Sequence, residues 1–323
     1  MEQDLVVDAF DARVHRRQGR RAFFTAALGA AGSAFVFSDP ARAQSTVTDA
    51  DVLNFALNLE YLEAQFYLYA VNGAGLPANL TASGSGAAGG TVTGGARVDF
   101  SGDALVGAYA REIAADEQAH VNFLRTALGS AAVAMPNINI SGDASGPFTA
   151  AARAAGVVPA NGTFNPYASP NDFLLGAFIF EDVGVTAYKG AAPLIGNKTF
   201  LEAAAGILAV EAYHAAIVRT TLYAKGIQDL VTATERISNA RDTLDGAPTE
   251  DLVRGIAPDD DQGIAPAGSG TTLRSNIAPL NSNGLAYSRT TGQVLNIVYL
   301  NAATTTMGGF FPNGVNGTIR STT

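Results

Sequence analysis

Two segments of this chain repeat one twelve-residue frame, Glu-x-x-His-x-x-x-x-Arg-Thr-x-Leu, at residues 117–128 and 211–222. Beyond the first 43 residues the chain contains only two histidines, His120 and His214, and each lies in one of these frames. Residues three apart on an α-helix project from one face, so each Glu and His can reach the same cation. The repeat therefore predicts two metal-binding helices.

A second repeated pair supplies two more carboxylates. Glu60 is followed by Tyr67, and Glu181 by Tyr188, in both cases after seven residues, which is about two helical turns. We expect each tyrosine to lie on the same side of its helix as its glutamate and to hydrogen-bond that metal ligand. An aromatic residue at helical spacing is also typical of core packing, and for both tyrosines this alternative stays open.

Local composition separates the candidate ligands from neighbouring acidic residues. Glu181 ends an apolar run, residues 173–180, where an unpaired buried carboxylate would be costly, and Asp182 is its alternative. Residues 203–210, which precede Glu211, are likewise all small or apolar. Glu63 lies three residues after Glu60, so it is an additional ligand, a bridging or supporting carboxylate, or an exposed charge.

Other charged residues near the two frames have simpler expectations. Glu112 and Asp116 compete with Glu117, but neither has a histidine three residues later, so solvated side chains are expected. Arg125 and Arg219 follow their histidines by five residues, off the ligand face. Both arginines are expected in salt bridges or in contacts at the end of the bundle.

The order Glu, Glu-x-x-His, Glu, Glu-x-x-His is the pattern of four-helix bundles that hold two iron or manganese ions. With residues 54–67 (NFALNLEYLEAQFY) and 308–317 (GGFFPNGVNG), it makes the chain resemble the ferritin-like superfamily, and within it the exported, desiccation-related branch. The resemblance covers most of residues 45–323. It implies an all-α, ferritin-like four-helix bundle with six metal ligands: Glu60, Glu117, His120, Glu181, Glu211 and His214.

Hydrophobic periodicity and helix-terminating residues place the four bundle helices. They are predicted at residues 51–72, 103–129, 171–192 and 198–225. The first should begin at Thr48 or Asp49 and the second at Ser101 or Asp103. Residues 81–97, rich in Gly, Ser, Thr and Ala, predict a loop. Residues 130–170 predict a long crossover with one short helix near 148–155.

The chain beyond the bundle is expected to be a loop-rich extension, so the domains are 44–226 for the bundle and 227–323 for the extension. A fifth helix is predicted at 228–244, with Glu235, Arg236 and Arg241 on its solvated face. Residues 246–286 should be mostly loop, 293–302 a short helix or strand, and the Gly- and Asn-rich end a packed turn or lid.

The first 43 residues have the features of a twin-arginine export signal. Arg20 and Arg21 precede an apolar run, residues 23–37, and an Ala-Arg-Ala cleavage site at 41–43. The run is shorter than the roughly 20 residues that span a bilayer, so an uncleaved anchor is disfavoured and no stable membrane insertion is expected after cleavage. The protein is therefore expected to be periplasmic or secreted. This pathway carries folded proteins, which would allow metal loading in the cytoplasm.

Charge and cysteine content narrow the classes of partner. The net charge is −9, and −10 once the first 43 residues are excluded, which argues against nucleic acid or an anionic membrane as a partner. There are no cysteines, so disulfides, thiolate metal sites and thiol nucleophiles are excluded.

The ligand set predicts redox chemistry. Four carboxylates repel one another unless cations compensate, and two divalent ions would balance them. Oxygen-rich ligation with one imidazole per ion favours iron or manganese. We expect a small-molecule oxidant, peroxide or dioxygen, as the substrate in stress protection. The alternative is a non-catalytic desiccation or stress scaffold with a structural or vestigial metal. The choice of metal stays open, and a homo-oligomer is compatible with the sequence.

Overall fold

Four long helices, packed as two antiparallel hairpins, form the body of the molecule and confirm the predicted all-α four-helix bundle. The computed structural model describes residues 47–246 and 261–322. The predicted export signal and its cleavage site lie outside the described residues. In chain order the longer helices are α1 (Asp49–Asn72), α2 (Ala104–Leu128), α3 (Pro147–Ala154), α4 (Pro170–Ala191), α5 (Lys198–Ala224), α6 (Gln228–Asp245) and α7 (Thr291–Val298). One hairpin pairs α1 with α2, and the other pairs α4 with α5.

Side-chain caps fix where the bundle helices begin. Thr48 caps α1 in a reciprocal pair with Asp51, and Asp103 caps α2 by accepting a hydrogen bond from the backbone N–H of Val106 at 3.2 Å. Asp49, the other candidate cap of α1, accepts instead from the backbone N–H groups of Gly196 and Asn197. The start of α1 is thereby tied to the turn between α4 and α5.

The crossover between α2 and α4 contains the predicted short helix, α3, and half of a small sheet. Strand β1 (Val92–Gly94) pairs in parallel with β2 (Ile138–Ile140). The prediction that all of residues 81–97 form a loop was therefore wrong for β1. Its partner lies far along the chain, so local composition could not reveal the pairing. Gly94 has φ +77°, and a Cβ there would lie 2.5 Å from the backbone of Ser141, so the close approach requires glycine.

The C-terminal part of the chain covers α4 and α1. Helices α6 and α7 both pack on α4, which settles the uncertain apolar segment at 293–302 as a helix that Thr290 caps. Phe310 is fully buried, with its ring centroid 5.0 Å from those of Phe148 and Phe180. Of the two predicted alternatives for the Gly- and Asn-rich end, a packed turn or a lid, the structure shows the packed turn.

A buried ion cluster joins the extension to the bundle. Asp182 accepts from Arg219 at 2.8 Å and from Arg241 at 3.0 Å. Its members are all buried: Asp182, Arg219, Arg241, Asp245, Asp261 and Arg289. The prediction that Arg241 lies on a solvated face was wrong, because the residue is 2% exposed and its guanidinium links α6 to α4. Arg236 is exposed, as expected, and Glu235 is half-buried.

Within each hairpin, one helix is covered much more fully than the other. Helices α1 and α4 are buried on almost every side. Helices α2 and α5 bury only one face each, and that face is turned towards α1 and α4. All the predicted metal ligands lie in the region that the four inward faces enclose.

Candidate metal centre

The six predicted ligands converge at one level of the bundle core. Their ligand atoms form two groups, within each of which all atoms lie within 4.8 Å of one another. One group is Glu60, Glu117, His120 and Glu211, and the other is Glu117, Glu181, Glu211 and His214. Glu117 and Glu211 belong to both groups. Each group thus has one glutamate that belongs to it alone, one histidine and two shared carboxylates.

Several buried polar atoms of these groups have no hydrogen-bond donor. Both carboxylate oxygens of Glu117 and of Glu211, together with Oε2 of Glu181, are buried with no hydrogen-bond partner among the described residues. Nδ1 of His214 is 3.0 Å from Glu117 Oε1 and 3.5 Å from Glu181 Oε2, yet it makes no hydrogen bond. Buried carboxylates without donors are strongly unfavourable unless a cation coordinates them or a proton neutralises them. The residues present therefore fit a bound metal.

The two tyrosines hydrogen-bond the cluster, but across the bundle. The Tyr67 hydroxyl donates to Glu181 Oε1, and the Tyr188 hydroxyl donates to Glu60 Oε1. The prediction that each tyrosine hydrogen-bonds the glutamate of its own helix was wrong. Seven residues correspond to a rise of about 10 Å along a helix, which is too far for a hydrogen bond within it. Each tyrosine instead reaches the glutamate of the other covered helix.

Asp116 is a site residue that sequence reasoning placed in solvent. Its Oδ2 lies 3.2 Å from Nε2 of His214, while its side chain remains 44% exposed. A carboxylate at Nε2 favours the tautomer in which the Nδ1 lone pair is free for a metal ion. The only available signal was its position next to Glu117, and the equivalent position of the second frame holds Val210, which cannot accept a hydrogen bond. The two histidines therefore have unequal support.

The other charged residues considered in the sequence analysis lie outside the two ligand groups. Glu112 is exposed, as expected. Asp182, the alternative to Glu181, belongs to the buried ion cluster, in which it pairs with Arg219. Arg125 donates to the Tyr61 hydroxyl at 2.6 Å near the end of α2. The two arginines thus make the salt bridge and the bundle-end contact that were expected.

Comparison with known proteins agrees with this geometry. A family model described as a ferritin-like domain matches residues 48–224, from the cap of α1 to the end of α5. The chain belongs to the ferritin-like domain family. It is similar to a protein named ferritin-like catalase Nec2 from Nesocodon mauritianus, with 29% identity over 273 residues and 84% of each chain covered.

A second relative comes from the desiccation-related branch. The chain is 27% identical over 280 residues to the desiccation-related protein PCC13-62 of Craterostigma plantagineum, covering 84% of this chain and 83% of that protein. No solved structure gives a significant match. The predicted resemblance to the ferritin-like superfamily and its desiccation-related branch is confirmed.

Electrostatics in the ferritin-like core favour a cation between the carboxylates. Burial and the charge of Glu117 raise the pKa of Glu60 to about 7. Burial and the neighbouring carboxylates raise the pKa of Glu211 well above its ordinary value. Burial opposes charge on the imidazoles, but the carboxylates outweigh it and raise the pKa of His120 to about 10 and of His214 to about 12. The buried carboxylates thus favour positive charge in the space between them, which a metal ion can supply.

Glu63 belongs to the same buried group of acids. It is 5% exposed, so its third alternative, an exposed charge, is excluded. Burial, followed by the charges of Glu117 and Glu181, raises the pKa of Glu63 well above its ordinary value. Glu63 lies outside both ligand groups. Its buried position next to the two groups suits a bridging or supporting carboxylate.

Gly184 is a second residue that the sequence analysis missed. A Cβ at this position would lie 2.2 Å from Glu211 Oε2 and 3.4 Å from Glu63 Oε1. Glycine therefore gives the shared carboxylate of Glu211 its space. The sequence signal was a glycine inside a long helix, where it costs about 1 kcal/mol relative to alanine.

Proposed function

We propose that this ferritin-like protein binds two iron or manganese ions and uses them to break down peroxide. The observation that carries the proposal is the pair of overlapping ligand groups with buried carboxylate oxygens that lack donors. The similarity to a protein named ferritin-like catalase supports peroxide as the substrate. Dioxygen is the other small oxidant that such a site could accept.

The donor set supports two ions, each iron or manganese. Two divalent ions balance the four carboxylates of Glu60, Glu117, Glu181 and Glu211 while leaving the imidazoles neutral. Each ion would have one histidine and three carboxylates within reach. Hard oxygen donors with a single imidazole favour iron or manganese over softer metals.

The surrounding residues would position the ligands. When bound, the ions supply redox equivalents and open positions for a small oxidant. Tyr188 and Tyr67 each donate a hydrogen bond that fixes the orientation of a ligand carboxylate, and Asp116 fixes the ring of His214. Glu63, whose Oε1 lies near the carboxylate of Glu211 at Gly184, would support or bridge the ligand carboxylates. Apolar neighbours such as Leu62 and Val183 keep bulk water away.

The second candidate function is a non-catalytic stress or desiccation scaffold, in which the metal is structural or vestigial. The similarity to a desiccation-related protein favours it. The two functions share the same fold and the same ligands. They differ in turnover, which makes peroxide consumption by metal-loaded protein the deciding measurement.

The test combines metal analysis with a peroxide assay on protein expressed with iron or with manganese. We expect about two ions per chain and peroxide consumption that the double substitution Glu211→Ala and His214→Ala abolishes. Glu112→Ala, an exposed residue of the same helix as Glu117, should leave both unchanged. Bound metal without any turnover would reject the enzyme and support the scaffold.

Export is part of the same proposal, because a secreted protein would meet oxidants from outside the cell. It rests on the paired arginines and the short apolar run of the first 43 residues. A fusion of residues 1–43 to a folded reporter should reach the periplasm of a bacterial host. Replacement of Arg20 and Arg21 by lysine should retain the reporter in the cytoplasm, and export of that variant would contradict the twin-arginine route.

A further inference from the structure

One side of the bundle, formed by the outer surfaces of α2 and α5, has an apolar composition and is exposed. We call this surface the α2–α5 face, and its main exposed residues are Leu105, Ala119, Phe123, Gly206 and Tyr213. Leu105 is 58% exposed, Phe123 43% and Tyr213 70%. Large exposed apolar side chains that share one surface are typical of a contact site.

Helix α5 contributes a long stretch without solvated charge. Between residues 203 and 224 its only charged side chains are Glu211 and Arg219, and both are buried. The helix is long and apolar enough to cross a membrane by length and composition, yet only 33% of its most apolar window is buried. A chain whose net charge is −9 thus exposes about 33 Å of helix without charge.

The outer stripe of this face is the part of the bundle that the described chain covers least. The C-terminal helices pack mainly on α4, and α1 and α4 are buried on almost every side. The extension reaches α5 along one flank, at Ala212, Ala215 and Ala216. The α2–α5 face keeps its exposed stripe along both helices. The described residues supply no cover for this stripe.

We propose that a second copy of this chain covers the α2–α5 face in a symmetric dimer. Helices of 25 and 27 residues are about 40 Å long, and two helices side by side are about 20 Å wide, so the face measures about 800 Å². A stable pairwise interface takes about 800 Å² from each partner. Alanine and glycine along the stripe let helices of two chains approach closely.

The charges near this face favour a second copy over a lipid surface. Glu112 is exposed on α2, and Asp116 is 44% exposed at the edge of the groove between α2 and α5. Helices that lie on membranes carry Lys or Arg on the flank of the apolar face, and α5 exposes none between residues 203 and 224. The α5 part of the face is uncharged and rich in small residues, and it repeats on an identical chain, so α5 can pack on its own copy across a two-fold axis.

The dimer would also close the metal centre on its open side. His120 is 9% exposed, and Asp116, which supports His214, is the most exposed of the groups that contact the cluster. Both lie on α2 beside the groove to α5. A partner chain at this position would remove water from the Asp116–His214 contact.

Sedimentation equilibrium on the full chain at about 10 μM tests the proposal. We expect twice the mass of one chain, falling to one chain in Leu105→Glu and in Tyr213→Glu. The matched controls are Leu273→Glu and Leu285→Glu, because these leucines are 52% and 54% exposed but lie in the C-terminal extension. Both controls should keep the doubled mass. A wild-type monomer, or a doubled mass that survives both face substitutions, would overturn the proposal.

A second measurement applies even if the charged variants fold poorly. The chain has no cysteine, so Tyr213→Cys and Leu285→Cys each provide a single thiol for alkylation. Alkylation of the thiol at 213 should slow at least tenfold as protein concentration rises from about 0.1 to 50 μM, while that at 285 stays constant. Equal rates at both positions would overturn the proposal. So would a monomer that sediments with phosphatidylcholine vesicles, since that would assign the face to lipid.

Discussion

At the scale of single residues, the metal centre is defined as much by Asp116 and Gly184 as by its ligands. The convergence of the six candidate ligands could be predicted from the two repeated frames and the repeated Glu–Tyr pair, because the spacing within each segment is fixed by one helix. Asp116 and Gly184 act across helices, on His214 of α5 and Glu211 of α5. A contact between helices has no signature in the spacing of one segment, so a single sequence did not reveal it.

Asp116→Asn should make the two metal positions clearly unequal. The neutral amide no longer holds the protonated Nε2 of His214 as strongly, and loss of such a supporting carboxylate typically lowers metal affinity by about 10- to 100-fold. Stepwise titration of the metal-free protein should show this loss in one of two binding events, with the other unchanged. Glu112→Gln, a charge change on the same helix, should leave both events as in the wild type.

Gly184→Ala should expel metal while the bundle stays folded. The added methyl group would lie 2.2 Å from Glu211 Oε2, so the shared carboxylate must move. The matched control is Gly206→Ala on α5, because a Cβ there meets nothing within 4 Å. We expect the control to retain metal and to gain about 0.5–1 kcal/mol in the free energy of unfolding. Normal metal content in Gly184→Ala would show that Glu211 has room to move without losing its role.

At the scale of secondary-structure elements, periodicity predicted the helices and failed where distant segments meet. Helices α1, α2, α4 and α5 begin and end within two residues of their predicted bounds. Strand β1 and the burial of Arg241 were missed because both depend on partners that the local pattern does not contain, Ile138–Ile140 for the strand and Asp182 and Asp261 for the arginine. The buried ion cluster therefore joins α6 to the bundle through residues whose sequence context is typical of a solvated helix.

Asp261→Asn should destabilise the connection between the extension and the bundle. Burial would raise the pKa of Asp261, but the charges of Arg241 and Arg289 outweigh it and lower the pKa below its ordinary value of 3.8. Removing one partner of a buried ion pair costs about 3–5 kcal/mol, which chemical denaturation would measure. Asp103→Asn removes the partly exposed pair with Lys225 but keeps a helix cap, so it should cost less than about 1 kcal/mol.

The same substitution should change the dependence of stability on pH. Since the folded pKa of Asp261 lies below the unfolded one, its contribution is complete above about pH 4 and is lost as the pH falls through the folded pKa. The variant should therefore lose less stability than the wild type below pH 4. Parallel acid dependence in the two proteins would mean that Asp261 is not charged in the folded state.

At the scale of the whole molecule, the covering of α1 and α4 and the exposure of α2 and α5 separate two roles. The covered side contains α1, α4 and the C-terminal segments that pack on them. Its tyrosines hydrogen-bond the ligand carboxylates, as Tyr188 does with Glu60. The open side presents Asp116 and an uncharged helix surface that we assign to a second copy. This asymmetry could not be predicted from the sequence, because the two halves of the ligand pattern are nearly identical.

The central claim is that the six side chains hold two ions between them. Anomalous diffraction at the iron and manganese absorption edges, on crystals of protein purified without chelator, tests it most directly. The account predicts two peaks per chain, about 3.5–4 Å apart, one bound by Nδ1 of His120 and the other by Nδ1 of His214. A single peak, or peaks remote from both histidines, would contradict it.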